Sequence, residues 1–221
     1  HRFEIRDGAL AELFVGVGEN ERLVSVVDIP STPLLAQRLD DLGVHLPDGA
    51  RGEINLQISS WMDQAAEVLN KGFVVTIDYG YEAPELYSSR RSGGTLQTYY
   101  KHTSGASPYQ WIGSQDITAH VDFTTVVNGG NAAGLNSLGL LTQTDYLDRL
   151  GMRRWMERVQ SLERPRRERD ANAMAMRELV KPDGLGGFKV LVQEKGTPVA
   201  DIEATLPPQE RVDNLPIPLL R

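Results

Sequence analysis
From Arg2 to Val27 the chain alternates apolar and polar positions in three short runs, Arg2–Arg6, Glu12–Val17 and Arg22–Val27. The breaks between them, Asp7-Gly8 and Gly18-Glu19-Asn20, consist of residues that tolerate positive φ. Period-two alternation closed by such turns predicts an antiparallel β-meander. A polar, proline-containing stretch from Asp28 to Gly52 is expected to cover it, with a short helix over Pro33–Leu42. The period then changes. Between Glu53 and Asn70, the residues Ile54, Ile58, Trp61, Met62, Ala65, Val68 and Leu69 recur at helical spacing, and Gly72 stands where a C-terminal cap belongs. The run Phe73-Val74-Val75-Thr76-Ile77-Asp78 follows at once. Rich in β-branched and apolar residues, it predicts a buried parallel strand whose carboxyl end opens into Asp78-Tyr79-Gly80. In open α/β sheets, ligands bind at that end.

Residues 81–119 are rich in Gly, Ser, Thr and Tyr and too long for an ordinary connection, which marks them as a functional loop. Beyond them the pattern predicts a helix from Val121–Phe123 toward Gly129, a strand near Leu135–Leu141 and a helix from Asp145 to Leu162. Pro165 interrupts this segment; a helix over Arg167–Val180, the loop Pro182–Gly187 and a strand over Phe188–Gln193 complete it. The organisation expected is one α/β domain over residues 1–196, followed by a proline-rich tail over 197–221. Within the domain, 1–52 form the meander and its cover, 53–80 a helix and a sheet strand, 81–120 the functional loop, and 121–196 the remaining helices and strands. The tail, with Pro198, Pro207, Pro208, Pro216 and Pro218, reads as an interaction arm.

Composition removes several classes of function. The 221 residues are 40% hydrophobic, enough for a real core. The net charge of −7 argues against nucleic acid or an anionic membrane surface as partner. No run approaches the roughly 20 apolar residues of a membrane span. Zero cysteines exclude disulfides, thiolate zinc, iron–sulfur clusters and cysteine nucleophiles, and suit a reducing cytoplasm. His1-Arg2-Phe3-Glu4 is neither a signal peptide nor an initiator, so the sequence is expected to begin inside a longer protein. His102 and His120 lack the spacing of a helical zinc pair, and no metal is expected. Ser88-Ser89 and Ser104-Gly105-Ala106-Ser107 lack the Gly-x-Ser-x-Gly elbow of a hydrolase. The cluster Arg153, Arg154, Arg158, Arg164, Arg166, Arg167 and Arg169, salted with Glu157, Glu163 and Glu168, reads as a solvated helical face. Met152, Met156, Met174 and Met176 read as gap-filling residues of a helix interface.

Three phrases carry the chemistry: Ile77-Asp78-Tyr79-Gly80; Gly94-Thr95-Leu96 with Tyr99, Tyr100 and His102; and Asp116-Ile117-Thr118-Ala119-His120-Val121-Asp122-Phe123. Their order and wording resemble the MidA family of S-adenosylmethionine-dependent methyltransferases, whose mitochondrial members methylate an arginine in a subunit of respiratory complex I. The resemblance extends to Glu53-Ile54-Asn55 with Trp61, to Leu150-Gly151 and to Gly186-Gly187-Phe188-Lys189-Val190-Leu191. It implies the C-terminal part of a Rossmann-like class I methyltransferase sheet, with the meander and helices as additions. The strand at Phe73 would be the fifth of that sheet, the one near Leu135 the sixth, and Phe188–Gln193 the antiparallel seventh. The family's glycine-rich cofactor turn and its ribose-binding acid lie upstream of this sequence. Gly16-Val17-Gly18 is no substitute, because Glu21 stands where a further glycine is required. The cofactor implied is therefore S-adenosyl-L-methionine, held in the full-length parent, and the cofactor-binding residues in this chain are unknown.

An arginine acceptor stays protonated near neutral pH and has to be oriented and polarised by carboxylates. Asp78, Asp116 and Asp122 are the candidates for that catalytic work. Alternatively, Asp116 is a turn cap and Asp122 a first-turn helix charge. Tyr99, Tyr100 and His102 would pack on the guanidinium or hold the loop shut, and Tyr79, Gly80, Thr95, Thr118 and His120 complete the substrate-binding set that the resemblance implies. The partner is a protein substrate, in the cytoplasm, or in the mitochondrial matrix if the source is eukaryotic. The reading from another class is a non-catalytic assembly module that recognises a partner through the Tyr-rich loop and the proline tail. If central strands are missing, the strand at Phe73 has an open edge, and the chain is expected to dimerise or exchange elements.

Overall fold
The computed structural model describes residues 1–105 and 107–199. The meander forms as expected. Strands β1 (Arg2–Arg6), β2 (Ala9–Val17) and β3 (Leu23–Asp28) pair antiparallel in sequence, and β4 (Arg51–Glu53) adds to the free edge of β1, giving the order β3-β2-β1-β4. Helix α1 (Leu34–Asp41) places Leu35 and Leu39 in one cluster with Phe3, Ile5, Ala50 and Ile54. On β1, Glu4 is gripped by Arg6 and Arg51 at 2.6 Å each, and the two guanidiniums hold its carboxyl below the usual range.

The amphipathic helix is shorter than its periodicity predicts. Helix α2 covers Ile58–Val68, because Arg51–Glu53 are taken up by pairing with β1 and Ile54 belongs to the meander core. Asn55 starts the turn into the helix by accepting the Gln57 amide at 2.9 Å. Gly72 is not its cap: at φ +143° it is the first residue of β5 (Gly72–Asp78).

The segment expected as one long loop is built of short elements. Strand β6 (Gly80–Tyr81) is followed by α3 (Ala83–Leu86), and then by a three-stranded antiparallel arm of β7 (Gln97–Tyr100), β8 (Thr103–Gly105) and β9 (Asp116–Thr118), in the order β8-β7-β9. Lys101 and His102 form the two-residue turn of β7 and β8, both at positive φ, as a type I′ turn requires. Tyr109 ties the arm to β3 through a 2.7 Å contact between its hydroxyl and Ser25 Oγ. Strand β10 (Val121–Asp122) pairs parallel with β6 and runs into α4 (Phe123–Ala132).

Strand β11 (Asn136–Thr142) leads through the Thr142 cap into α5 (Gln143–Arg149). The single helix expected over Asp145–Leu162 is broken at Gly151, whose left-handed φ of +90° separates α5 from α6 (Met152–Ser161). Helix α7 (Arg166–Leu179) follows Pro165, and β12 (Lys189–Lys195) closes the pattern. Met152, Val159 and Met176 form a core with Met156 at its margin, whereas Met174, expected to pack there, is exposed. The arginine-rich stretch carries the i,i+4 pairs Arg164–Glu168 and Arg166–Asp170 on exposed surface.

Strand β5 departs most from expectation. It is neither buried nor parallel to its neighbour: β12 lies between β5 and β11 and runs antiparallel to both. The chain divides into two compact units, one of residues 1–61 and 80–129, the other of 62–79 with the described residues from Gly130 on. Among the described residues, no helix is long and apolar enough to cross a membrane. Residues 200–221, which hold most of the proline-rich tail, lie outside the described ones.

Candidate functional site
Within the first unit, the site residues are organised around close backbone approaches. Gly80 pairs with Val121 where β6 meets β10, and a Cβ on Gly80 would run into the Val121 carbonyl and amide. Only glycine permits that spacing. Gly94, at φ +83°, lies against the Glu53 carboxylate in the same way. Next to it, Thr95 donates its amide at 2.7 Å and its hydroxyl at 3.0 Å to Glu53 Oε2, and the same hydroxyl accepts the His120 amide at 3.0 Å. Glu53, at the end of β4, thus stitches the Gly94-Thr95 turn to the segment entering β10. The His120 ring packs against Tyr81 with centroids 5.3 Å apart, and the Arg91 guanidinium lies over the Tyr81 ring at 3.6 Å. A hydrogen bond from Arg91 to the Glu85 carbonyl at 3.0 Å holds it there.

The arm supplies an open cleft. Tyr99 on β7 and Asp116 on β9 are cross-strand partners, so their side chains emerge on one face, and Lys101, His102 and Ser114 complete a lining of about 530 Å³. Tyr100 points to the opposite face by strand alternation, where its ring stacks on Trp111 at 4.5 Å and 5° between planes. The two adjacent tyrosines are thereby divided between two tasks. The cleft offers an acceptor-only carboxylate, a phenol, an imidazole and an ammonium.

Asp122 is engaged locally. It precedes α4, its Oδ1 accepts the Thr125 amide at 3.2 Å, and its Oδ2 accepts the Thr125 hydroxyl at 2.6 Å. Arg38 from α1 donates to the same hydroxyl at 3.3 Å. This is an N-cap. Burial raises the Asp122 carboxyl pKa, against the bonds from Thr125 and the charge of Arg38. Ionisation of Asp122 therefore costs folding stability above its folded-state pKa, and acidification through that pKa relieves the cost. Asp122→Asn keeps a capping oxygen without the charge, and is expected to melt at or above the wild-type temperature at pH 8. Thermal melts against pH check this; the difference should shrink as the pH falls.

Of the remaining sequence candidates, Thr118 pairs with Gln97 in the arm, at the far end of the register from the Tyr99–Asp116 pair. In the second unit, Asp78 at the carboxyl end of β5 accepts the Tyr79 amide at 2.8 Å, and Tyr79 meets Phe188 edge-on at 5.5 Å. Sequence reasoning gave no role to Glu53, Tyr81, Arg91, Lys101 or Ser114. Glu53 was visible only as the start of a helix and as part of a family phrase, and Arg91 carried no signal.

The chain was also compared with known proteins. The sequence model of a family described as "putative S-adenosyl-L-methionine-dependent methyltransferase" matches residues 1–141. No curated protein matches. A crystal structure of an uncharacterised COG1565-superfamily protein from Burkholderia thailandensis is similar over 90% of this chain and 52% of its own, with a TM-score of 0.80 and 24% identity. Another COG1565-superfamily member from the same organism, bound to S-adenosyl-homocysteine, is similar over 90% of this chain and 51% of its own, with a TM-score of 0.78 and 25% identity. The chain thus spans about half the length of these solved structures.

Proposed function
The chain belongs to the S-adenosyl-L-methionine-dependent methyltransferase family of the MidA type, and on that premise we propose that it is the acceptor-facing half of such an enzyme, acting on a protein arginine. The observation that carries the reading is the convergence of Tyr99, His102 and Asp116, each singled out by sequence, on the lining of one cleft. The Rossmann-like reading is supported by the order β11-β12-β5 with β12 antiparallel to both neighbours, the arrangement expected for the sixth, seventh and fifth strands.

When bound, the cofactor supplies a methyl group already activated by sulfonium. The described residues do not fit it. Gly16 sits inside β2 with its Cβ position filled by Val26, and Gly18 lies in the hairpin turn, bonded to the Arg22 carbonyl at 2.8 Å. The first amides of α4, which could otherwise take an anion, are capped by Asp122. The cofactor is therefore assigned to the longer protein, and the part played by this chain is to bind and orient the acceptor. Asp116 would accept guanidinium hydrogen bonds and polarise the acceptor nitrogen, while the Tyr99 ring packs on the cation face. Orientation is the main contribution such a site makes to a displacement of this kind. Asp78 and Tyr79 belong to the second unit, and the proposed acceptor site rests on the first unit alone. The cytoplasm is the proposed compartment.

Calorimetric titration of S-adenosyl-L-methionine into this chain and into the full-length parent tests the reading. Binding by the parent alone is expected; no binding by either would turn the assignment toward the non-catalytic assembly module. In the parent, Asp116→Asn should lower kcat/KM for an arginine-containing protein acceptor by about tenfold, or roughly 1.4 kcal/mol, measured by methyl incorporation.

A further inference from the structure
Within the first unit, the arm carries two opposite charges on one cleft and neutralises neither. Lys101, in the turn between β7 and β8, and Asp116, on β9, line the same cleft, and among the described residues neither has an ion-pair partner. Both are exposed. The Lys101 ammonium lies 5.4 Å from the centroid of the Tyr100 ring, a weak contact that leaves its charge and its donors available. Opposite charges that line one cleft without meeting each other are complementary to a ligand that carries both.

The backbone at the cleft is strained where these side chains are held. Lys101 adopts φ +48° and His102 φ +62°. A two-residue hairpin turn of this kind is cheapest with Asn-Gly or Asp-Gly, and a lysine at positive φ is uncommon. The turn between β1 and β2 does use the cheap pair, Asp7-Gly8. Trp111, at φ +51°, is a third residue of this kind in the arm, and its ring stacks on Tyr100. Side chains retained at a conformational cost around one cleft mark it as a place where those side chains are used.

We infer that Lys101 determines specificity in this cleft by recognising a carboxylate side chain that lies close to the acceptor arginine in the substrate protein. The guanidinium meets Asp116 and Tyr99, and the neighbouring acid meets the ammonium. Tyr99 and Lys101 are separated by about 7 Å of extended chain, so an acid two positions from the arginine in an extended acceptor segment has the matching spacing. The field of the whole chain works against this choice, since a net charge of −7 repels acidic peptides at long range. A preference for a flanking acid therefore has to come from a local cation.

The inference rests on the proposal that the cleft takes a protein arginine, and peptide binding to the full-length parent tests the two separately. The probes are short blocked peptides with a central arginine and aspartate two positions to either side. In the controls, asparagine or lysine replaces both aspartates, or citrulline replaces the arginine. By calorimetry at low salt, the aspartate peptide should bind about threefold more tightly than the asparagine peptide, the size of one exposed ion pair. Lys101→Gln should abolish the difference, and Lys101→Glu should reverse it in favour of the lysine peptide. The side chain is exposed, so neither substitution removes packing. Failure of both peptides to bind, or an aspartate preference that survives Lys101→Glu, would overturn the inference. Equal binding of aspartate and asparagine peptides, with affinity still lost to citrulline, would overturn it and leave arginine recognition standing. Equal affinity for arginine and citrulline would overturn both.

Discussion
Gly80→Ala should destabilise the protein by about 3 kcal/mol, a large effect for one methyl group. The added carbon would meet the carbonyl, amide and carbonyl carbon of Val121. Those are backbone atoms, so no rotamer change relieves the overlap and the β6–β10 pair has to separate. Tyr81 and Asp122 form the next step of that pairing. The substitution therefore also disturbs the Tyr81–His120 packing and the cap of α4. Urea denaturation checks the magnitude. Gly93→Ala is the control: no atom lies within 4 Å of a Cβ there, and its cost should stay within about 0.5 kcal/mol. Equal stability of the two variants would refute the argument.

Phe3→Ala is expected to cost more, about 4 kcal/mol, because the ring is fully buried and its neighbours are held by the sheet. Gly52 packs directly against the ring, and Tyr87 meets it with centroids 6.3 Å apart. Tyr87 in turn donates its hydroxyl to the Glu53 carbonyl at 3.0 Å. The cavity thus opens beneath the residue that fixes the Gly94-Thr95 turn. Two readings follow: a lower urea midpoint, and faster proteolysis near Gly94 and Thr95 than the global loss of stability accounts for. A drop in midpoint with unchanged local cleavage would show that the core and the turn are not coupled.

The sequence was legible where local pattern and tertiary demand agree. Alternation and turn residues specified the three meander strands, helical spacing located α2, and turn and start signals placed the helices that became α1 and α4. The errors fall where long-range pairing overrides local preference. Glu53 and Ile54 read as the first turn of a helix, yet one ends β4 and the other joins the meander core. Gly72 read as a cap and instead opens a strand. Gly151 broke the helix expected from Asp145 to Leu162, because a left-handed residue cannot continue it, although Leu150-Gly151 was quoted among the family phrases. In the site, the family phrases located Tyr99, His102 and Asp116, but the division of Tyr99 from Tyr100 needed the register of the arm. The network around Glu53 joins residues 53, 95 and 120 and has no local signature.

The position of β12 also bears on how the protein is made. The strand that pairs β5 with the rest of its sheet is synthesised on the order of a hundred residues later, so this sheet has a high contact order and folds slowly. During translation Phe73, Val75 and Ile77 emerge long before β12 does, and the edge of β5 that β12 will pair with stays open for several seconds. The meander, whose first three strands are joined by tight turns, needs no such wait. Until β12 is made, the edge of residues 72–78 that it pairs with is unsatisfied, and that is the interval in which aggregation competes with folding.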